Sequence, residues 1–249
     1  MYLLIDVGNS NICYGFVEGK TLIKTFRMKT MLDRSSDEYY LMFNSFISNQ
    51  SFDDVIISSV VPVITSALVK MFKNHYHKDV RILGPGIKTG IQIKADNPRE
   101  VGSDLICDVA GAQTYCNESL IIDLGTATKY IYHKNSTFMG LSIAPGVSIS
   151  MKALTSKAAL LPEIELQIPK SILCNNTINC MQSGVIYGAV CQVDSMIDRI
   201  KEEINKPDLK IIATGGLASL IIPLCKNKIE IDPDLTLKGL LDIYLRNCK

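Results

Sequence analysis

Two stretches of this 249-residue chain set a carboxylate, a glycine and small polar residues at matching spacing: Asp6-Val7-Gly8-Asn9-Ser10-Asn11 and Asp123-Leu124-Gly125-Thr126-Ala127-Thr128. In each, an apolar run ends in Asp, and the glycine lets the backbone turn where a side chain would block an incoming phosphate. The polar residues that follow supply donors. Such a turn can bind phosphate oxygens while its Asp faces a magnesium ion. The Gly-x-x-x-x-Gly-Lys spacing of a Walker A loop is missing. One copy alone reads equally well as a strand-to-hairpin turn with a capping Asp. Its return 117 residues later, close to half the chain, shifts the balance toward chemistry. Phosphoryl transfer asks mostly for positioning and charge neutralisation, which paired carboxylate turns can provide.

Two further segments could serve the same chemistry. Asp96-Asn-Pro-Arg-Glu-Val-Gly-Ser-Asp104 is a polar loop running into a helix. Asp104 there is either a residue favoured near a helix N-terminus or a base beside a substrate hydroxyl. Thr214-Gly-Gly-Leu-Ala218 follows a strand and starts a helix, where paired glycines admit a flat base or sugar; plain turn chemistry would look the same. The three histidines suggest no zinc site. The eight cysteines, at 13, 107, 116, 174, 180, 191, 225 and 248, form no C-x-x-C pair and read as small buried hydrophobes.

The elements that would hold these residues follow from periodicity. Met1–Asp6, Asn11–Val17 and Thr21–Arg27 read as strands, with a hairpin turn at Glu18-Gly19-Lys20. Asp33–Asn49 has apolar residues at helical spacing, and Pro62 opens a second helix reaching about His75. Asp54–Ser58 and Val80–Leu83 are short buried strands, and Asp104–Thr114 is helical. From Ser119 the opening pattern repeats, with a strand ending at Asp123 and another over Thr128–His133. A helix from Ser183 to about Asn205, a strand Lys210–Ala213 and a closing helix near Lys238–Arg246 complete the chain. Duplicated lobes follow, 1–117 and 118–249, with the similar turns facing each other across a cleft.

Composition removes several function classes. Lys+Arg at 26 against Asp+Glu at 25 leaves a formal charge of +1, without the basic footprint of a nucleic-acid binder or a polybasic membrane patch. The apolar start meets Asp6 at once and lacks a basic lead-in, unlike a signal peptide. Val55–Met71 is too interrupted by polar residues to span a bilayer. A soluble cytoplasmic protein is the expectation.

Eight segments in order carry a family resemblance: the two Asp-x-Gly turns, the Asp96–Asp104 loop, Ile143-Ala-Pro-Gly, Leu161-Pro, Asn176-Thr, Gln182-Ser-Gly and Ala213-Thr-Gly-Gly-Leu-Ala. With them the chain resembles type III pantothenate kinase over nearly all its length. The resemblance implies an α/β fold of duplicated actin-like lobes of the ASKHA, ribonuclease H-like type, a homodimer, and phosphorylation of pantothenate as the first step of coenzyme A synthesis. It puts the ATP-binding turn on Asp6, Val7, Gly8, Asn9, Ser10, Asn11, Ile12 and Cys13, with Thr126 as a further ATP contact and Mg²⁺ held by Asp6 through the phosphates. Asp104 takes the proton acceptor's position within the substrate stretch Gly102, Ser103, Asp104 and Leu105, and Ala95 and Thr177 take further substrate positions. Asp123 takes the position of a ligand to a monovalent cation, K⁺ or NH₄⁺, which displaces its reading as a magnesium residue. The chain departs from the family pattern at Ala95, where a Tyr is usual, and at Leu105, where an Arg is usual. A nucleotide-binding, regulatory homologue is the alternative those departures suggest.

Overall fold

The computed structural model describes residues 1–47, 50–158 and 161–248. The chain forms two compact units, one of Met1–Tyr115, Ser136–Phe138 and Asp234–Lys249, the other of Cys116–Asn135 and Met139–Pro233. The units are therefore not the contiguous segments 1–117 and 118–249 expected from sequence alone.

The first unit opens with β1 (Tyr2–Val7), β2 (Asn11–Glu18), β3 (Thr21–Lys29), α1 (Ser36–Ile47), β4 (Asp54–Ser59), α2 (Pro62–Tyr76), β5 (Val80–Ile82), the two-residue β6 (Gln92–Ile93) and α3 (Ser103–Ala112). Its sheet runs β3-β2-β1-β4-β5, with β1 antiparallel to β2 and parallel to β4. The central β1 is apolar on both faces because helices cover both. Leu3, Ile5 and Val7 pack with Tyr39 and Phe43 of α1 and Leu68 and Phe72 of α2, whereas Leu4 packs with Cys107 and Ala110 of α3. The first helix starts at Ser36 rather than Asp33 because Ser35 and Glu38 form a capping box: the Ser35 N–H donates to Glu38 Oε2 at 2.8 Å and the Glu38 N–H to Ser35 Oγ at 3.3 Å. Its expected end, Asn49, lies outside the described residues.

The second unit contains β7 (Glu118–Leu124), β8 (Ala127–Lys134), β9 (Thr137–Pro145), α4 (Val147–Lys157), α5 (Thr177–Glu203), β10 (Lys210–Thr214), α6 (Ala218–Ile221) and β11 (Glu230–Ile231). The first residues of β9 pair with β6 and group with the first unit. The strand order β9-β8-β7-β10-β11 repeats that of the first sheet, with β7 antiparallel to β8 and parallel to β10. Even the residue across from the one before each Asp corresponds: Tyr14 faces Ile5, and Tyr130 faces Ile122, both tyrosines buried. The long helix α5 begins at Thr177 rather than Ser183, because Asn176 caps it by accepting the Asn179 N–H at 3.0 Å. No helix of the described residues is long and apolar enough to cross a membrane.

The chain ends in α7 (Leu235–Arg246), which packs in the first unit. Its apolar side, with Leu237, Leu240 and Ile243, joins the cluster beneath β1 and α3. Glycines let the two helices approach closely: a methyl on Gly239 would collide with the Cys107 carbonyl, and one on Gly111 with the Leu235 carbonyl. All eight cysteines are free thiols; Cys107 is buried as expected, but Cys180, Cys191 and Cys248 are exposed.

Candidate active site

In the first unit, β1 delivers Asp6 to the start of the β1–β2 turn. The Gly8 N–H donates to the Asn11 carbonyl at 3.0 Å, and a methyl on Gly8 would stand 3.2 Å from that oxygen. Thr30 fastens the turn from β3's end. Its hydroxyl donates to the Gly8 carbonyl at 2.7 Å, and its N–H to the Ser10 carbonyl at 3.0 Å. The side chains of Asn9, Ser10 and Asn11 are exposed, while Val7 and Ile12 are buried and can meet a ligand only through their backbone. Directly across from Asp6 in the strand register stands Cys13, whose thiol burial pushes up to about 11 against the pull of Arg27. At neutral pH that thiol carries no charge.

The acceptor-side residues reach this turn through β4. Ser58, fully buried, has its Oγ 3.0 Å from Asp6 Oδ1 and 3.1 Å from Ser103 Oγ, and Ser103 Oγ also lies 3.0 Å from the Ser59 carbonyl oxygen. Asp104 follows in the first turn of α3, where the Leu105 N–H donates to its Oδ1 at 2.9 Å. Its carboxylate folds back over Gly102, so a methyl on Gly102 would lie 2.5 Å from Oδ1. The structure thus links Asp6 to Gly102–Asp104 within one unit. Leu105 itself is only 6% exposed and points into the interior. Ala95 lies on an exposed loop, which continues through a single 3₁₀ turn at Pro98–Glu100.

In the second unit, β7 delivers Asp123 to the corresponding turn, which is one residue tighter: Asp6 faces Cys13, but Asp123 faces Lys129. Lys129 Nζ donates to Asp123 Oδ2 at 2.7 Å, with the two side chains 18% and 15% exposed. Two glycines crowd the other carboxylate oxygen. A methyl on Gly125 would stand 3.2 Å from Oδ1, and one on Gly215 only 2.5 Å from it. Gly215 holds φ +93, a conformation glycine adopts without penalty, as β10's end docks on Leu124 through the Leu217 N–H at 3.1 Å. Gly146, the N-cap of α4, sits against the Thr126 carbonyl with no room for a methyl. Thr177 is elsewhere in this unit, exposed on the rim of a cavity of about 610 Å³ lined also by Leu154, Leu161, Cys174, Asn176 and Met181.

The metal question divides the two turns. Among the described residues no group of three or more His, Cys, Asp or Glu could hold an ion. Mg²⁺ needs no such cage, since one carboxylate plus substrate phosphates and water suffices, and Asp6 beside the Gly8 turn fits that donor set. A monovalent cation at Asp123 does not fit. The Lys129 ammonium already sits 2.7 Å from Oδ2 and neutralises the carboxylate, so the pair offers a second cation no net charge. Sequence reasoning missed Ser58 and Lys129. A hairpin drawn through Gly125, Thr126 and Ala127 would have set Lys129 across from Asp123; no sequence signal marks Ser58 among the apolar residues of β4.

Known proteins resemble this chain in sequence and in fold. The profile of a family described as type III pantothenate kinase matches residues 2–199. A type III pantothenate kinase from Acholeplasma laidlawii (strain PG-8A) is 47% identical over 249 residues, covering 100% of both chains. Among solved structures, a putative 2-dehydro-3-deoxygalactonokinase from Sinorhizobium meliloti superposes with TM-score 0.62 at 13% identity, covering 100% of this chain and 97% of its own. A conserved putative Baf family transcriptional activator from Campylobacter jejuni does so with TM-score 0.58 at 20% identity, covering 98% of each chain. These likenesses show a shared fold, the actin-like α/β architecture of duplicated sheets.

Proposed function

We infer the reaction from kinship and site together: the chain belongs to the type III pantothenate kinase family, and it transfers phosphate from ATP to pantothenate, giving 4′-phosphopantothenate in coenzyme A synthesis. The observation that carries the residue assignment is the Asp6–Ser58–Ser103 hydrogen-bonded link, which ties the phosphate-side carboxylate to the stretch bearing Asp104. Asp6 would hold Mg²⁺ through the phosphates of ATP, and the ion would supply neutralisation of the charge that builds in the transition state. Asp6 orients that metal-phosphate group, and Gly8 admits the phosphate close to the backbone. Thr30 turns the Gly8 and Ser10 carbonyls toward β3, which keeps their negative ends off an incoming phosphate. Thr126 adds an ATP contact from the second turn. Asp104 accepts the proton of the primary hydroxyl of pantothenate; in a loose transition state its work is mostly alignment. Thr177 contacts pantothenate from the N-terminus of α5. At Asp123, where the resemblance implies K⁺ or NH₄⁺, Lys129 already holds the carboxylate, and no step passes through an added ion.

The same reading takes the protein as cytoplasmic, as a partner of small molecules rather than nucleic acid or membrane, and as a homodimer. Exposed apolar side chains in β9 and in the stretch leading to α5 support self-association, among them Ile143, Ile172 and Leu173. It keeps the two lobes as products of duplication, as the repeated strand order supports. The test is a coupled assay of ADP release with and without pantothenate. Pantothenate-dependent turnover that disappears in Asp104→Ala supports the assignment. Nucleotide binding without turnover would instead favour a regulatory homologue, the reading to which the inward-facing Leu105 and the bare loop at Ala95 lend support.

A further inference from the structure

We propose that Lys129 is a tethered cation that takes the place of a monovalent ion at the second turn, so that this chain works without added K⁺ or NH₄⁺. The inference rests on the kinase reading above. It starts from register: Asp123 and Lys129 are direct partners across β7 and β8, so the lysine reaches the carboxylate across one strand spacing. The ammonium stands 2.7 Å from Oδ2, at a place where both side chains are more than four-fifths buried. A methyl on Gly125 or Gly215 would stand 3.2 or 2.5 Å from Oδ1, whereas Oδ2 is the oxygen that meets the ammonium.

The chemistry of the substitution is close. A lysine head is a compact point charge with N–H donors, so it presents to a carboxylate what an ammonium ion would. Because it is covalently attached, it needs no bulk concentration to fill the site, the effective concentration being set by its own short stem. The first unit shows the contrast. Its partner position across from Asp6 holds Cys13, a thiol neutral at physiological pH, and Arg27 stands one strand further on, across from Cys13. Lys129 is thus a positioning residue: it neutralises Asp123 and steadies the Gly125–Thr126 turn, without touching the reacting atoms.

The test uses the full-length protein with MgATP and pantothenate at constant ionic strength, in tetramethylammonium salt and then with K⁺ or NH₄⁺ added. The wild type is expected to change rate by less than about twofold, and Lys129→Gln to lose activity and regain about tenfold with K⁺ or NH₄⁺. A wild type stimulated about tenfold or more by K⁺ overturns the proposal and leaves the kinase reading intact. That arm needs no variant, so a misfolded Lys129→Gln does not spoil it. If pantothenate is not turned over in any salt, the kinase reading fails, and melting of the wild type with Mg²⁺ and a non-hydrolysable ATP analogue decides the cation question. A midpoint indifferent to K⁺ supports the tethered cation; a K⁺-specific rise overturns it.

Discussion

The two Asp-x-Gly turns share a strand order and a sequence pattern, yet they differ by one residue in length, and that residue changes their electrostatics. Lined up by sequence from the Asp, Lys129 would correspond to Ile12, a buried core residue. Lined up by register, it corresponds to Cys13, because the second turn closes one residue sooner. A one-residue shift in a strand sends every side chain to the opposite face. The first turn thus has a Ser58 hydroxyl on its carboxylate and a neutral thiol across from it, with Arg27 one strand beyond, while the second has an ammonium directly across from its carboxylate. Duplicated scaffolds need not duplicate charge.

On the proposed reading the first unit carries both the metal-side carboxylate and the proton acceptor. Asp104→Asn is expected to lower kcat by about 10²–10⁴ in the ADP-release assay while nucleotide affinity stays near wild type. A parallel loss of nucleotide affinity would place Asp104 in binding rather than proton transfer.

The second unit, by contrast, should be the acid-sensitive one. His133 pairs with Ser119 in the buried part of β7 and β8, with Nε2 2.6 Å from Ser119 Oγ. The corresponding pair in the first sheet is Tyr2 and Val17, which has nothing to titrate near neutrality. Burial pushes His133 down to about 4 from 6.5, against the pull of Glu118. The unfolded chain therefore takes up the proton first. The contribution of His133 to stability is flat above pH 6.5 and falls by about 3 kcal/mol as pH drops toward 4. Denaturant midpoints across that range should show the slope in the wild type and lose most of it in His133→Gln.

The glycines sharpen the contrast further. Gly215→Ala places a methyl against Asp123 and Leu124 at φ +93 and is expected to cost about 1–3 kcal/mol of stability, read from denaturant unfolding. Gly8→Ala has more room and should cost under about 1 kcal/mol, while raising KM for ATP. Ser58→Ala is expected to lose about 1 kcal/mol together with a drop in kcat, since it removes the hydroxyl between Asp6 and Ser103.

Much of this was legible in the sequence. The strands leading to Asp6 and Asp123 stand out because each is an apolar run ending at a charge and a glycine, and the register that follows is local. The C-terminal helix shows the limit. Its periodicity marks it as a helix, but only the close approach of Gly239 to Cys107 and of Gly111 to Leu235, remote in sequence, reveals that it belongs to the first unit. Leu105 is similar: its neighbours read as a substrate stretch, but whether its side chain faces ligand or core depends on how α3 lies on the sheet. Ser58 gave no signal because a serine at a strand end has many ordinary uses. Lys129 went unread because the repeat was followed by sequence and not by register.

The division of labour between the turns is tested most directly by the affinity of a non-hydrolysable ATP analogue, measured against Mg²⁺ concentration in Asp6→Asn and Asp123→Asn side by side. The account predicts that Asp6→Asn loses the Mg²⁺ dependence of binding while Asp123→Asn keeps it. Equal loss of that dependence in both variants, or its loss in Asp123→Asn alone, would contradict it.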